Sequence, residues 1–375
     1  MRNFQLLKKH ITDANGKRAR VIDKFSSLPE QQDINSTTNV AYTTAGAPAV
    51  VQIDRNRLLK GVKLRVVLNV TTGATPGTPT ARENGVAELL QNLTVKANGK
   101  PIIGPMSGRM AFLIAQYCRG REPLELDNLT TTEVQTGSQT LQAIVEIPLD
   151  FTVLGLAEPM AHAGAIYSPT FTSLEVSWKW GAVADIMDSP GATQTIVTTS
   201  YVEVTNQYAE PERAEIDAEG YGLFTRNGVI SKSDFGTQVY KTPLQAGAIY
   251  RGLFMLVSGG STKRVSDAVF TGDIELNVDA NPLWGDSASA VAGRTARNMP
   301  YGLTRTGFYA LDPLKSGGQG DVLPGFEKMW RIPGLRNLNF KANTTTLSAG
   351  QIEFCPYLYL PKAEALGLIG AGQAG

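Results

Sequence analysis

The sequence has few of the residues on which most enzyme and metal chemistry depends. Its two histidines are His10 and His162, among 375 residues. A histidine-based catalytic triad or a multi-histidine metal site therefore has little to build with. The two cysteines, Cys118 and Cys355, are not in a C-x-x-C pair, which favours buried, reduced thiols over a disulfide or a structural zinc. We therefore expect no catalytic residue, no metal site and no cofactor.

A charge imbalance and a long apolar run are also missing. The chain has 35 Lys and Arg against 34 Asp and Glu, a formal net charge of +1. This balance gives no overall attraction to nucleic acid or to a membrane, so we expect no sequence-specific nucleic-acid binding. No uninterrupted apolar stretch has the length of a secretory signal or of a membrane-spanning helix. We therefore expect the protein to be made and folded in a cytoplasm.

Glycine and proline are abundant, with 38 and 20 residues, and 42% of the chain is hydrophobic. This composition is typical of many strands closed by turns, in a chain long enough to form two domains. The stretch Leu58 to Val70 is an example. Its apolar side chains recur at every second position from 62 to 68, and Lys63 and Arg65 lie between them. Such alternation predicts a strand with one buried and one exposed face.

One helix is predicted among these strands. The stretch Leu89 to Arg119 begins as a strand, turns at Asn98-Gly99 and ends in an amphipathic helix from Ser107 to Arg119. A weaker strand, turn and helix occur at Asp273 to Arg297. The second occurrence indicates that the chain contains a duplicated unit.

Six stretches of the second half repeat the order of six stretches in the first. In one pair, Lys60-Gly61-Val62 corresponds to Arg251-Gly252-Leu253, a basic residue, a glycine and a hydrophobic residue. The shared order predicts two copies of one all-β unit. The predicted segments are a basic amino-terminal arm and linker at 1–44, a first unit at 45–211, an inter-domain linker at 212–222, a second unit at 223–362 and a flexible tail at 363–375.

Strands that bury one face each require two sheets packed together. The run AVVQIDRNRLLKGVKLRVVLNV, followed by LLQNLTVKANGKPIIG, resembles the amino-terminal jelly roll of the double jelly-roll major capsid proteins. These are the coat proteins of tailless, membrane-containing icosahedral phages and of adenovirus-like viruses. The resemblance spans residues 49–360 and depends on the order of elements. It implies an all-β fold of two tandem eight-stranded jelly rolls, each with a short flanking helix.

The resemblance also implies a function. The chain would be a structural coat subunit without enzymatic activity, located in the virion capsid after synthesis in the host cytoplasm. Homotrimers would form pseudo-hexagonal capsomers that tile an icosahedral shell. The implied partners are neighbouring capsomers, penton and minor capsid proteins, and an internal viral membrane. The loops are of modest length, so we expect a low outer surface without a tower domain.

Two groups of basic residues are candidate contact sites. The arm has a basic set and could form a short amphipathic helix with Phe4, Leu6, Leu7 and Ile11 on its apolar side. The basic set is Arg2, Lys8, Lys9, Lys17, Arg18, Arg20 and Lys24. It is either a solvated terminus or an arm that orders against a neighbour or a membrane. Arg119 and Arg121 follow the predicted helix, where they either complement its dipole or contact another subunit.

Two other functions are compatible with β-sandwiches. A phage receptor-binding or spike protein would favour exposed aromatic residues in long loops, which are scarce here. A jelly-roll carbohydrate-active enzyme would need two opposed carboxylates, for which Glu146 and Glu175 are the candidates. Trp178 and Trp180 share one face of a strand, and packing between sheets is favoured over a sugar-stacking platform.

Overall fold

The structure is a computed structural model in which the chain is described over the following residues: 10–12, 18–20, 34–55, 58–73, 81–119, 125–127, 129, 139–151, 165–187, 194–209, 223–226, 229–232, 238–245, 247–259, 264–265, 269–279, 281–302, 305–313, 330–332, 337–345 and 350–360. Strands dominate these residues, as the composition predicts.

The elements of the first half are β1 (His10–Thr12), β2 (Arg18–Arg20), β3 (Ile34–Ala41), β4 (Pro48–Gln52), β5 (Leu58–Thr72), β6 (Leu90–Ala97), β7 (Lys100–Met106), α1 (Gly108–Arg119), β8 (Glu125–Asp127), β9 (Thr140–Asp150), β10 (Ile166–Tyr167), β11 (Leu174–Trp180), α2 (Val183–Ile186), β12 (Gln194–Ile196) and β13 (Tyr201–Ala209). Short 3-10 helices cover Gly85–Leu89 and Ser168–Thr170.

The elements of the second half are β14 (Leu223–Arg226), β15 (Val229–Lys232), β16 (Gln238–Leu244), β17 (Ile249–Gly259), β18 (Arg264–Val265), β19 (Phe270–Val278), β20 (Asn281–Ser287), α3 (Ala288–Asn298), β21 (Phe308–Leu311), β22 (Trp330–Arg331), β23 (Leu338–Thr344) and β24 (Gln351–Leu360). A further 3-10 helix covers Pro300–Gly302.

The two halves have the same sheet order. In the first half, one sheet runs β4-β11-β6-β7 and the other contains β3-β13-β5-β9. In the second half, the corresponding sheets run β16-β23-β19-β20 and β24-β17-β21. Strands β14 and β15 lie beside β24, in the same way that β3 lies beside β13 in the first half. A helix follows β7 in one half and β20 in the other. The predicted duplication is therefore confirmed, and each half is a β-sandwich.

The duplication extends to single residues. Val62 pairs with Leu149 in the first sandwich, and Leu253 pairs with Leu311 in the second. A β-bulge falls at Lys60 in one and at Arg251 in the other. The glycine after each bulge lies against the neighbouring strand, so that a Cβ atom on Gly61 would lie 3.1 Å from Leu149 O, and one on Gly252 would lie 3.1 Å from Leu311 O. The basic-glycine-hydrophobic motif is therefore a shared bulge.

The hydrophobic core follows from the alternation in the strands. Leu64, Val66 and Leu68 are completely buried in the first sandwich, together with the inward side chains of β6, β9 and β13. Eight apolar residues of the second half, including Phe254 and Phe308, belong to the same continuous cluster. The second sandwich also has a core of its own around Phe340 and Phe354. The two sandwiches are therefore packed against each other through apolar side chains.

One strand also connects the two sandwiches. Strand β14 is antiparallel to β24 and pairs in parallel with β7 at Arg226 and Ile103. The predicted linker at 212–222 and tail at 363–375 lie outside the described residues, and the domain boundaries stay predictions. The helix proposed for the arm is not confirmed at Ile11, which pairs with Ala19 in the two-stranded ladder of β1 and β2. The β-branched side chain of isoleucine suits a strand.

Candidate assembly interface

Helix α1 lies between the two sandwiches. The hydroxyl of Ser107 accepts a hydrogen bond of 3.0 Å from the Met110 amide, which caps the first turn. All residues from Gly108 to Cys118 are buried, including those on the polar side of the helix. Helix α1 packs on β9 of its own sandwich and also contacts β17 of the other. We call this contact the internal joint.

At one end of the internal joint, the cap of α1 is bound by a carboxylate of the second sandwich. The amide and the hydroxyl of Ser107 donate hydrogen bonds to Glu353 Oε1 and Oε2, both at 2.7 Å. Glu353 is only 6% exposed. Its pKa is raised to about 7, chiefly because burial disfavours the charged form. The hydrogen bonds from Ser107 and the charge of Arg109 oppose this increase in the pKa, and the charge of Glu88 adds to it.

A cavity of about 240 Å³ adjoins this carboxylate. Charged side chains of the first sandwich line it, namely Arg82, Glu88, Arg109 and Asp185, together with Glu353 of the second. Arg109 is buried, with its Nε atom 3.6 Å from Glu88 Oε1. Two arginines face three carboxyl groups, so the cavity is polar and its lining has no strong net charge.

Replacing Glu353 with glutamine is expected to change how stability depends on pH. The pKa of Glu353 is higher in the folded chain than in the unfolded one, so this group stabilises the fold most below about pH 4.5. That contribution disappears as the pH rises through about 7. Relative to the variant, the wild type should therefore lose about 2–3 kcal/mol of unfolding free energy between pH 5 and pH 8. Urea unfolding at both pH values measures the difference, and equal pH dependence in the two proteins would contradict it.

Aromatic residues fill the middle of the internal joint. The ring of Tyr117 on α1 meets Phe254 edge-on at 5.5 Å and Phe308 at 6.5 Å. Phe254 and Phe308 are stacked at 6.1 Å, and Tyr357 lies 6.3 Å from Phe254. Aromatic pairs at these distances add to the free energy of burying their surface. This cluster connects α1 firmly to β17, β21 and β24.

A buried ion pair lies at the other end. Arg251 occupies the bulge of β17, is 2% exposed and binds Asp312. Burial lowers the pKa of Arg251, but the charge of Asp312 and the hydrogen bond to it, together with Cys118 and Tyr357, outweigh burial and raise the pKa above its ordinary value. Burial also raises the pKa of Tyr117, and Asp312 raises it further. The pair is therefore charged and enclosed by the joint.

The first sandwich has a similar pair that is less enclosed. Asp150 is the equivalent of Asp312, and it accepts hydrogen bonds of 3.0 and 2.7 Å from Nε and Nη2 of Arg119. The Arg119 side chain is 18% exposed. Arg119, a candidate for either a helix-dipole role or an inter-subunit contact, is thus bound within its own chain, and its contact with a neighbour stays a prediction. Arg121 lies outside the described residues.

Helix α1 packs on the sheet β24-β17-β21 of the second sandwich, which corresponds to the sheet β13-β5-β9 of the first. We call the side of β13-β5-β9 that corresponds to the α1-binding side the charged face. The strand register makes Lys63 equivalent to Phe254, Glu146 to Phe308, Arg65 to Leu256 and Glu203 to Glu353. On the charged face, Lys63 and Glu146 form an ion pair at 3.3 Å, and Arg65 and Glu203 form a looser one at 3.8 Å. These four side chains are partly exposed, whereas their equivalents, three of them apolar and the fourth Glu353, are buried.

Helix α3 has the same position in the second sandwich as α1 in the first. Its cap is Ser287, whose hydroxyl accepts a hydrogen bond of 3.3 Å from Ala290, so Ser287 corresponds to Ser107. Only Val291 and Thr295 of α3 are buried. Ser289, Gly293 and Arg297 are exposed along one side, and Tyr301, just beyond the helix, is 92% exposed. Tyr301 also has a φ of 53°, which is uncommon for an aromatic residue.

The internal joint was not predicted from the sequence, although a signal was present. The stretch Leu58 to Val70 alternates between apolar and basic residues, but its counterpart Ile249 to Gly259 is apolar at nearly every position. A strand that is apolar on both sides is buried on both faces. This difference marks the second sandwich as the one whose outer face is covered within the chain.

The basic arm is only partly described. Arg18 and Arg20 lie in β2, and His10 lies opposite Arg20 in β1. Arg2, Lys8, Lys9, Lys17 and Lys24 lie outside the described residues, so the arm's contacts stay predictions. Within the described part of the chain, no helix is long and apolar enough to cross a membrane.

The residues considered for catalysis or sugar binding have structural roles. Trp178 and Trp180 are buried and meet edge-on at 5.5 Å, which confirms packing between the sheets. Glu146 and Glu175 alternate with buried neighbours on β9 and β11, so they point outward from two different sheets. Each pairs with a lysine. Cys118 and Cys355 are buried and form no disulfide, as predicted. The described residues contain no cluster of three or more potential metal ligands.

Several solved capsid structures have the same architecture. The crystal structure of the major capsid protein of STIV matches 88% of this chain and 97% of its own, with a TM-score of 0.66 and 13% identity. The atomic structure of Sulfolobus turreted icosahedral virus matches 90% of this chain and 96% of its own, with a TM-score of 0.64 and 14% identity. A capsid model of the virus PBCV-1 matches 89% and 95%, with a TM-score of 0.52 and 12% identity. This chain has the double jelly-roll fold.

The predicted fold class, an all-β double jelly roll with a helix flanking each half, is therefore confirmed. No protein-family model and no curated protein sequence matches the chain. The similarity to the capsid proteins lies in the fold, because 12–14% identity leaves few side chains in common. The internal joint and the charged face must therefore be interpreted from this chain's own residues.

Proposed function

We propose that this double jelly roll is the major coat subunit of an icosahedral virion and has no catalytic activity of its own. One observation supports the proposal most strongly. The chain matches viral major capsid proteins over about nine-tenths of its length, and the match includes both sandwiches. A rigid pair of sandwiches held by a buried joint suits a building block that must keep its shape in a shell.

The proposed assembly unit is a homotrimer. Because each chain contributes two similar sandwiches, three chains in a ring present six similar units and form a pseudo-hexagonal capsomer that can tile an icosahedral shell. The first sandwich of one chain would meet the second sandwich of the next in a head-to-tail contact. Further proposed partners are neighbouring capsomers, penton and minor capsid proteins and an internal viral membrane. The near-zero net charge suits a shell that faces protein or membrane.

Negative-stain electron microscopy of the purified protein and of the native particle tests this function. We expect trimers with a hexagonal outline and a shell tiled by the same outline. A monomer, or an elongated spike attached to the particle, would contradict the coat function and favour a receptor-binding protein.

Deleting residues 1–24 is expected to leave soluble trimers but to impair closure of the shell. The reason is that the basic arm is proposed to contact neighbouring capsomers or the membrane and precedes both predicted units in the sequence. Assembly yield by sedimentation measures the effect. A matched variant replaces Arg2, Lys8, Lys9, Lys17, Arg18, Arg20 and Lys24 with glutamine and separates the role of charge from that of chain length. Normal shells from both variants would refute the role of the arm.

A further inference from the structure

The internal joint provides a template for a contact between chains. The sandwich that α1 belongs to and the sandwich it docks on have the same strands in the same order. Helix α3 and the charged face are the equivalent two surfaces, and both are left at least partly exposed within one chain. Within one chain, the helix of the first sandwich docks on the second sandwich. If the second sandwich docks in the same way on the first sandwich of another copy, α3 meets the charged face of that copy.

The geometry points to a specific pair of residues. Ser107 and Ser287 cap the two helices, so Tyr117 and Arg297, each ten residues further along, are equivalent. Tyr117 contacts Phe254 and Phe308 in the internal joint. The equivalents of these two phenylalanines are Lys63 and Glu146. Arg297 thus has the position of Tyr117, and Glu146 has the position of Phe308.

We propose that Arg297 of one copy docks on the charged face of a second copy and binds Glu146 there. The proposal rests on the proposed trimer and deepens it by naming the residues of its head-to-tail contact. Arg297 and Glu146 have opposite charges, and Lys63, which pairs with Glu146 at 3.3 Å, must turn aside for Arg297 to reach that carboxylate. Ser289 and Gly293 on the same side of α3 allow the helix to approach closely. The exposed ring of Tyr301 lies just beyond the carboxyl-terminal end of the helix.

The two joints differ in chemistry. The middle of the internal joint is apolar and aromatic, like the contacts within a domain core, whereas the equivalent part of the proposed contact between chains is charged. Exposed charges separated by a few ångströms are screened by salt. The trimer is therefore expected to form readily at low ionic strength and to weaken as salt is added, while each chain stays folded.

Charge reversal at Arg297 tests the proposal by sedimentation velocity. Arg297→Glu is expected to weaken each contact about tenfold, the effect of losing a close interfacial charge pair, and to shift the protein from trimer toward monomer. Glu146→Arg should act similarly, although it also removes the pair with Lys63. The double variant Arg297→Glu/Glu146→Arg should recover most of the trimer. Lys100→Glu, the same change of charge at an exposed turn outside both surfaces, serves as the control and should remain trimeric.

The outcomes separate this inference from the proposed function. A wild type that is monomeric at low salt would contradict the trimer itself, and with it the inference. A trimeric wild type whose association is unchanged in Arg297→Glu would overturn the inference and leave the coat function in place. Loss of trimer in Arg297→Glu without recovery in the double variant would reject Glu146 as the partner. Circular dichroism of every variant checks that the chain is folded.

Discussion

Replacing Asp312 with alanine is expected to lower the free energy of unfolding by about 3–5 kcal/mol. The change leaves the guanidinium of Arg251, which is 2% exposed, inside the internal joint without its carboxylate partner. A buried charge that loses its partner has a large desolvation cost, which water cannot relieve here. Urea unfolding of the purified variant at neutral pH measures the loss.

Two comparisons show whether burial is the cause. Asp286→Ala removes a pair with Arg294 in which both side chains are about one-third exposed, and it should cost less than about 1 kcal/mol. The double variant Arg251→Met/Asp312→Leu has no charge left to bury and should recover much of the stability lost in Asp312→Ala. Equal losses in Asp312→Ala and Asp286→Ala would show that the pair at the joint is not effectively buried.

Replacing Phe254 with alanine is also expected to cost about 3–5 kcal/mol, because it removes a completely buried ring from the centre of the joint. The ring contacts Tyr117 of α1 and stacks on Phe308, so the cavity would open between the two sandwiches. The midpoint and slope of urea unfolding measure the loss. A second transition would indicate that the sandwiches unfold separately in the variant.

Lys63→Ala is the matched control, since Lys63 has the equivalent position on the first sandwich. Its side chain is 29% exposed, and its pair with Glu146 is screened by solvent, so the cost should stay below about 1 kcal/mol. A loss as large as that of Phe254→Ala would mean that the charged face is covered within the chain. It would then be unsuited to bind a second copy.

The expected effects of these variants differ because the outer sheet face of the second sandwich is covered within the chain and that of the first is partly exposed. The sequence gives only a weak indication of this difference. The order of six stretches and the shared Lys60-Gly61 and Arg251-Gly252 motifs are sufficient to predict a duplicated all-β unit. The strand at 58–70 and the helix ending at Arg119 are predicted as well, because alternation and helical spacing are local properties. The same local patterns indicate that Trp178 and Trp180 pack inward.

The partners of single side chains are less predictable. Arg119 is equally suited to a helix dipole and to a contact with another subunit, and the structure shows that it binds Asp150, 31 residues later in the chain. Glu353 resembles an ordinary glutamate on a strand, yet it receives the cap of α1 from 246 residues earlier. Such contacts depend on how whole sheets pack together, and no local pattern specifies them.

The sequence by itself determined the strands, the two helices that mark the copies and the presence of two similar β-sandwiches. Only the tertiary structure decided that α1 is enclosed by the second sandwich while α3 remains exposed. It likewise decided that Phe254 and Phe308 are covered, and that Lys63 and Glu146 are not. The physical reason is that alternation specifies which side of a strand faces its own core. What covers the other side depends on the position of a distant part of the chain, or of another chain.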